Sequence, residues 1–274
     1  MNARILSKFD LAPLIAAFDS KKSLCYTVIK RESCRTRATR RKEPGMPGIS
    51  DRAYRILRRP FAFVWRTRLL GRENIPSKGP AVFVANHLGS YAPIAVLAAL
   101  PVRLYPWVAH QVTEPKLCPE YLRHDFIEPE LHLKPPLSRA AAWLISKACL
   151  AVMKALEAIP VYPGSMKLEI TWKRSLDLLE QGRFIIIFPE NDKKPLSGPI
   201  HEFYYGFVRL GALYYEQTGR RLDFVPIAVN KSSGTIRAER PNTYDPSSPL
   251  PSERFRIVSE LQETITALVG QPGS

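Results

Sequence analysis

The 274 residues suffice for one full α/β core, and 45% hydrophobic against 24% charged residues exclude a disordered or collagen-like chain. A formal charge of +15 calls for an anionic partner, either nucleic acid or an anionic membrane surface. The four cysteines, Cys25, Cys34, Cys118 and Cys149, lack metal-ligand spacing, which excludes a zinc ribbon and points to free thiols in a reducing, cytoplasmic setting.

Much of the charge lies early. Residues 1–50 hold 11 Lys/Arg against 4 Asp/Glu without an apolar period, and Pro44-Gly45 and Pro47-Gly48 close the segment. It reads as a basic, flexible arm over 1–50, with Met46 as an alternative start, followed by a domain over 51–274. Asp10 and Asp19 interrupt any signal-peptide core, and no apolar stretch reaches the ~20 residues of a spanning helix. From Arg52 to Leu70, arginines alternate with Tyr54, Ile56, Phe61, Phe63 and Trp65. This predicts an amphipathic helix, kinked or split at Pro60, that either lies in a membrane interface or packs on a core. Gly71 stops it.

Ala81–Ala85 is a short apolar run of strand length that ends at Asn86-His87 and Gly89-Ser90. A strand buried on both faces has this pattern, and His87 would sit at its carboxyl end, where open α/β sheets place their chemistry. Ser90 is the expected cap of a following helix with Pro93 in its first turn. Val102–Val108 predicts a second strand with an awkward Pro106. His110 to Pro136 is irregular; Glu128, His132 and His124 are the weak candidates for metal ligands there, and Pro129 argues against a helix carrying them. No resident metal is expected.

Beyond it, helical periodicity over 138–156, a strand over 159–162, a helix over 168–179 and a strand over 183–188 follow in turn. A helix over 204–215, a strand over 222–229 and a closing helix marked by Phe255, Val258, Leu261, Ile265 and Leu268 complete the chain. Alternating strands and helices imply a mostly parallel sheet flanked by helices.

Four stretches in order, Asn86-His87, Ile159-Pro160-Val161-Tyr162, Phe188-Pro189-Glu190 and Val225-Pro226-Ile227, resemble the four blocks of the glycerol-phosphate and lysophospholipid acyltransferase family. The resemblance implies that family's α/β fold. It also implies transfer of a fatty acyl group, in lipid biosynthesis, from acyl-coenzyme A or acyl carrier protein to a hydroxyl of a lysophospholipid, glycerol phosphate or related acceptor. The acyl thioester is then a co-substrate, and no bound cofactor is expected. His87 would be the general base, with Asn86, Val161, Pro189, Glu190 and Lys193 binding substrate. An alcohol is a poor nucleophile near neutral pH, so an imidazole that takes its proton is worth about 10²–10⁴-fold.

Three letters depart from the family pattern. Ala92 stands where an Asp would orient the His87 ring, so Ala92→Asp is expected to restore a missing orienter; Glu114, Asp125 and Glu128 are the candidate substitutes. Pro163 replaces an Arg that would grip an acceptor phosphate, and Asn191 replaces a Gly. The rival readings are a catalytically inactive acyl- or lipid-binding protein of the same fold and, last, a nucleic-acid binder using the basic arm. The expected setting is peripheral, on the cytoplasmic face of an anionic membrane, with no nucleic acid as partner.

Overall fold

The computed structural model describes residues 49–64, 67–164, 167–191, 196 and 198–270, and Gly48–Ser274 forms one compact unit. Residues 1–48 of the basic arm and Lys193 lie outside the described residues. Among the described residues eight strands form one sheet: β1 (Arg68–Leu70), β2 (Ala81–Ala85), β3 (Leu104–Ala109), β4 (Ile159–Val161), β5 (Phe184–Ile187), β6 (Asp223–Asn230), β7 (Thr235–Ala238) and β8 (Asn242–Thr243). Their spatial order is β1-β7-β6-β2-β5-β3-β4, with β8 on β6; β6–β7 and β6–β8 are antiparallel and every other pair is parallel. The expected mostly parallel sheet is therefore present.

Strand β2 lies between β5 and β6 and is buried at all five positions, because alternate side chains enter two separate cores. Val82 and Val84 join Ile185, Ile187, Leu179, Leu210 and Leu261 on one face. That face is covered by α4 (Leu168–Glu180), α5 (Arg209–Thr218) and α6 (Leu250–Val269). Ala81, Phe83 and Ala85 join Val225, Ile227 and helix α2 (Tyr91–Ala99) on the other. α3 (Leu137–Ala155) instead packs against the short helix Cys118–Leu122 and the π-turn Arg123–Ile127.

Several local expectations change. The first helix, α1 (Asp51–Val64), runs through Pro60 without splitting and ends before Arg68, which starts β1. Ser50 caps α1 by accepting from the Ala53 amide at 3.2 Å. The side chains of the expected aromatic run Phe61–Trp65 lie outside the described residues. Tyr54 and Arg58 face α2. The Tyr54 hydroxyl donates to the Leu97 carbonyl at 3.3 Å, and Arg58 donates to the carbonyls of Ala98 and Leu100, so a guanidinium neutralises the carbonyl end of α2. Arg52, Arg55, Ile56 and Arg59 remain exposed.

Ser90 stands at the start of α2 but has helical backbone angles and makes no side-chain cap; the Tyr91 amide bonds the Leu88 carbonyl at 3.1 Å instead. Pro106 is tolerated because β3 changes partner beside it. Leu104–Pro106 pair with β5 and Trp107–Ala109 with β4. The helix expected over 204–215 begins as a 3₁₀ turn at Gly206–Val208.

Candidate functional site

Because β2, β4, β5 and β6 run parallel, the residues that follow them meet at one edge of the sheet: His87 after β2, Tyr162 after β4 and Glu190 after β5. His110 follows β3 at the same edge. Three of the four sequence blocks thus deliver their polar residues to a common border, and the fourth lies in β6 beside the first.

The His87 turn is held from two sides. Asn86 is fully buried; its Nδ2 donates to the Val229 carbonyl at 3.0 Å, and its Oδ1 accepts from the Val229 amide at 2.7 Å. This side chain acts as one more ladder pair between β2 and β6. Both polar atoms are engaged in the fold, so Asn86 serves as a strut of the turn. Glu190 supplies the other hold: Oε1 accepts from the His87 amide at 2.5 Å and Oε2 from the His201 amide at 3.0 Å. The carboxylate therefore stitches the end of β2 to the loop after β5. Glu190 also bridges to Phe203 by backbone pairing.

With its backbone so fixed, the His87 side chain is exposed, and its ring meets the Phe188 edge with centroids 5.5 Å apart and planes at 88°. Pro189 is buried, and its carbonyl accepts from the Tyr204 amide at 2.8 Å. Val161 pairs with Ala109 at the end of β4, half-buried, so it shapes the edge through its position. Pro163, beyond Tyr162, is exposed.

Ala92 changes the chemistry expected of this site. It is fully shielded from water and shares an apolar core with Ala81, Phe83, Ala85 and Ile227. A carboxylate there would enter an apolar interior, which costs several kcal/mol unless paired. Of the candidate substitutes, Glu128 is committed elsewhere: its Oε1 accepts from Ser138 at 3.0 Å and from Arg123 at 3.2 Å, and its Oε2 lies 3.6 Å from His124. That network engages Glu128 and His124, two of the residues considered as metal ligands, and no metal-ligating cluster occurs among the described residues.

Two neighbours of the site were not singled out from the sequence. His110 stacks on Tyr162 with centroids 4.8 Å apart, its Nδ1 buried without a hydrogen-bond partner. Glu130 brings its carboxylate against Gly89, where a Cβ would lie 2.8 Å from Oε1, so the positive φ of 51° and the lack of a side chain at Gly89 are both used. Neither has a local sequence signal, since each reaches the edge through the irregular segment after β3. Of the described thiols, burial pushes Cys118 up to about 12 and raises Cys149 as well, which keeps both protonated.

No protein-family model matches the sequence, and no curated protein does. Among solved structures, the 1-acyl-sn-glycerophosphate (LPA) acyltransferase PlsC from Thermotoga maritima is similar over 84% of this chain and 86% of its own, at 12% identity and a TM-score of 0.49. Likeness of that degree carries no function across.

Proposed function

We propose that this chain transfers an acyl group from an acyl thioester, of coenzyme A or acyl carrier protein, to a hydroxyl of a lysophospholipid, glycerol phosphate or related acceptor. The supporting observation is the Glu190 carboxylate, which takes the His87 amide at 2.5 Å and so joins two of the four ordered blocks at the carboxyl edge of the sheet. In this reading the neutral His87 imidazole accepts the proton of the acceptor hydroxyl as its oxygen attacks the thioester carbon. The carbon–sulfur bond then breaks, and the proton passes to the departing thiolate. Glu190 positions the turn that carries the base. Pro189 and Val161 shape the walls, and Lys193 is proposed as an acceptor contact.

The buried Ala92 favours a second reading, an acyl- or lipid-binding protein without turnover, because no carboxylate stands at the orienting position. Incubation of the purified chain with radiolabelled acyl-coenzyme A and a panel of lysolipids and alcohols separates the two. Acceptor-dependent release of coenzyme A that falls about 10²–10⁴-fold in His87→Ala is the expected result. Acyl-coenzyme A binding by calorimetry with no release in either protein would overturn the enzyme in favour of the binder.

A further inference from the structure

Helix α3 is built the wrong way round for a helix that only serves a core. It buries Ser138, Ala142 and Ser146, half-buries Ile145, Leu150 and Met153, and turns four other large apolar side chains outward. Leu137, Trp143, Leu144 and Val152 are 61%, 58%, 65% and 47% exposed. Leu137, Ala140, Leu144, Ala148 and Ala151 recur at helical spacing and are all exposed, so they form one continuous stripe along a rod about 28 Å long. A monomeric protein surface rarely shows an apolar strip of this length without a partner.

Charge says what the partner is. Between Leu131 and Leu156 no Asp or Glu occurs, while Lys134, Arg139, Lys147 and Lys154 all do. Those four basic side chains are exposed, and Arg139, Lys147 and Lys154 lie on the same side of the stripe as Trp143. The Lys147 ammonium stands 3.4 Å from the centre of the Trp143 ring. An apolar stripe flanked by cations and by a Trp is the pattern of a helix lying in the headgroup layer, its rings and aliphatic side chains among the acyl chains and its cations at the phosphates. Among the described residues no helix is long and apolar enough to cross a membrane, so the contact is lateral.

We propose that the outward face of α3 docks onto an anionic phospholipid bilayer. This moves the lipid contact away from the Arg52–Leu70 stretch, where Tyr54 and Arg58 are turned to α2 and Arg68–Leu70 belong to the sheet. The surface is independent of acyl transfer. A neighbouring copy of the chain is the rival occupant, but two such faces would bring like charges together.

Sedimentation of the full chain with phosphatidylcholine vesicles, with and without phosphatidylglycerol, tests it. Binding should require phosphatidylglycerol and weaken with salt, because each basic residue near the surface contributes about 1 kcal/mol, or about fivefold in partitioning. Lys147→Glu with Lys154→Glu should lower partitioning by at least about 25-fold, roughly fivefold for each charge lost. Leu144→Gln should lower it with far-ultraviolet circular dichroism unchanged, and His87→Ala should bind like the wild type. Retained binding in the α3 variants, with loss in Arg52→Glu plus Arg55→Glu, would overturn the proposal. So would a dimer in sedimentation velocity that Leu144→Gln dissociates while vesicle binding is absent throughout.

Discussion

Helices α2 and α3 are both rich in alanine, yet they stand in opposite relations to solvent. α2 carries no charged residue and is enclosed, with the sheet beneath Ala92, Ala95 and Val96 and α1 above it through Tyr54 and Arg58. α3 fully buries only small residues against short helical turns and leaves Leu137, Trp143, Leu144 and Val152 exposed. The difference teaches that apolar content does not by itself locate a core: what decides is whether the neighbouring elements offer a surface to cover it. α2 has two such neighbours. α3 has one.

The largest test of this contrast is Ala92→Asp. In the enclosed helix the new carboxylate loses water among alanines and Phe83, at a cost of about 3 kcal/mol or more. For a chain of this size that is a fall of roughly 6–12 °C in melting temperature by calorimetry. The outcome is opposite to the gain in turnover that the sequence pattern suggests for an aspartate at this position. A variant that melts with the wild type would show that the start of α2 opens readily, and would restore the substituted carboxylate as an orienter of His87.

Arg103 sits just past α2 and reaches the segments around α1 and α3. It donates to Asp51 Oδ1 at 2.8 Å, to the Ile49 carbonyl at 2.6 Å and to Glu157 Oε1 at 2.8 Å, while stacking on Tyr105. Arg103→Ala should cost about 2 kcal/mol, read from denaturant midpoints, since it removes a nearly buried side chain and takes a donor from Glu157 and the Ile49 carbonyl. The Arg103 hydrogen bond holds the Asp51 carboxyl below its ordinary range, with Arg183 assisting against the opposing effect of burial. A depressed folded value stabilises above the unfolded pKa and is lost as pH falls through the folded one. The gap between wild type and Arg103→Ala should therefore narrow on acidification below about pH 4. A gap that is constant with pH would assign Arg103 to packing alone.

The smallest effect belongs to the exposed stripe. Leu144→Gln should leave stability within about 0.5 kcal/mol, because the side chain gives up little buried area. A loss of about 2 kcal/mol or more would mean that the stripe is covered in the folded monomer.

What the sequence disclosed follows the same division between covered and uncovered surface. β2 and β5 were legible because AVFVA and FIII are unbroken apolar runs with strand length, buried on two faces. β1, β7 and β8 were not, being two to four residues long and partly exposed, and β1 was absorbed into the basic stretch before it. His87 could be singled out because it follows a strand buried on both faces, and Glu190 because Phe188-Pro189-Glu190 resembles a family block. Their mutual arrangement could not, since it depends on a side-chain carboxylate meeting a backbone amide across 103 positions. The part Asn86 takes in the sheet was not legible either, because nothing local marks a polar side chain that pairs with a strand 143 positions away.

That completion by Asn86 gives the site a reporter of its own. The Val229 amide is protected by a side chain rather than by a neighbouring backbone, so hydrogen–deuterium exchange at this one position follows the opening of the His87 turn and not the fraying of β6. Exchange at Val229 that quickens while the centre of β6 stays protected would mark molecules whose sheet is intact and whose histidine has lost its mooring.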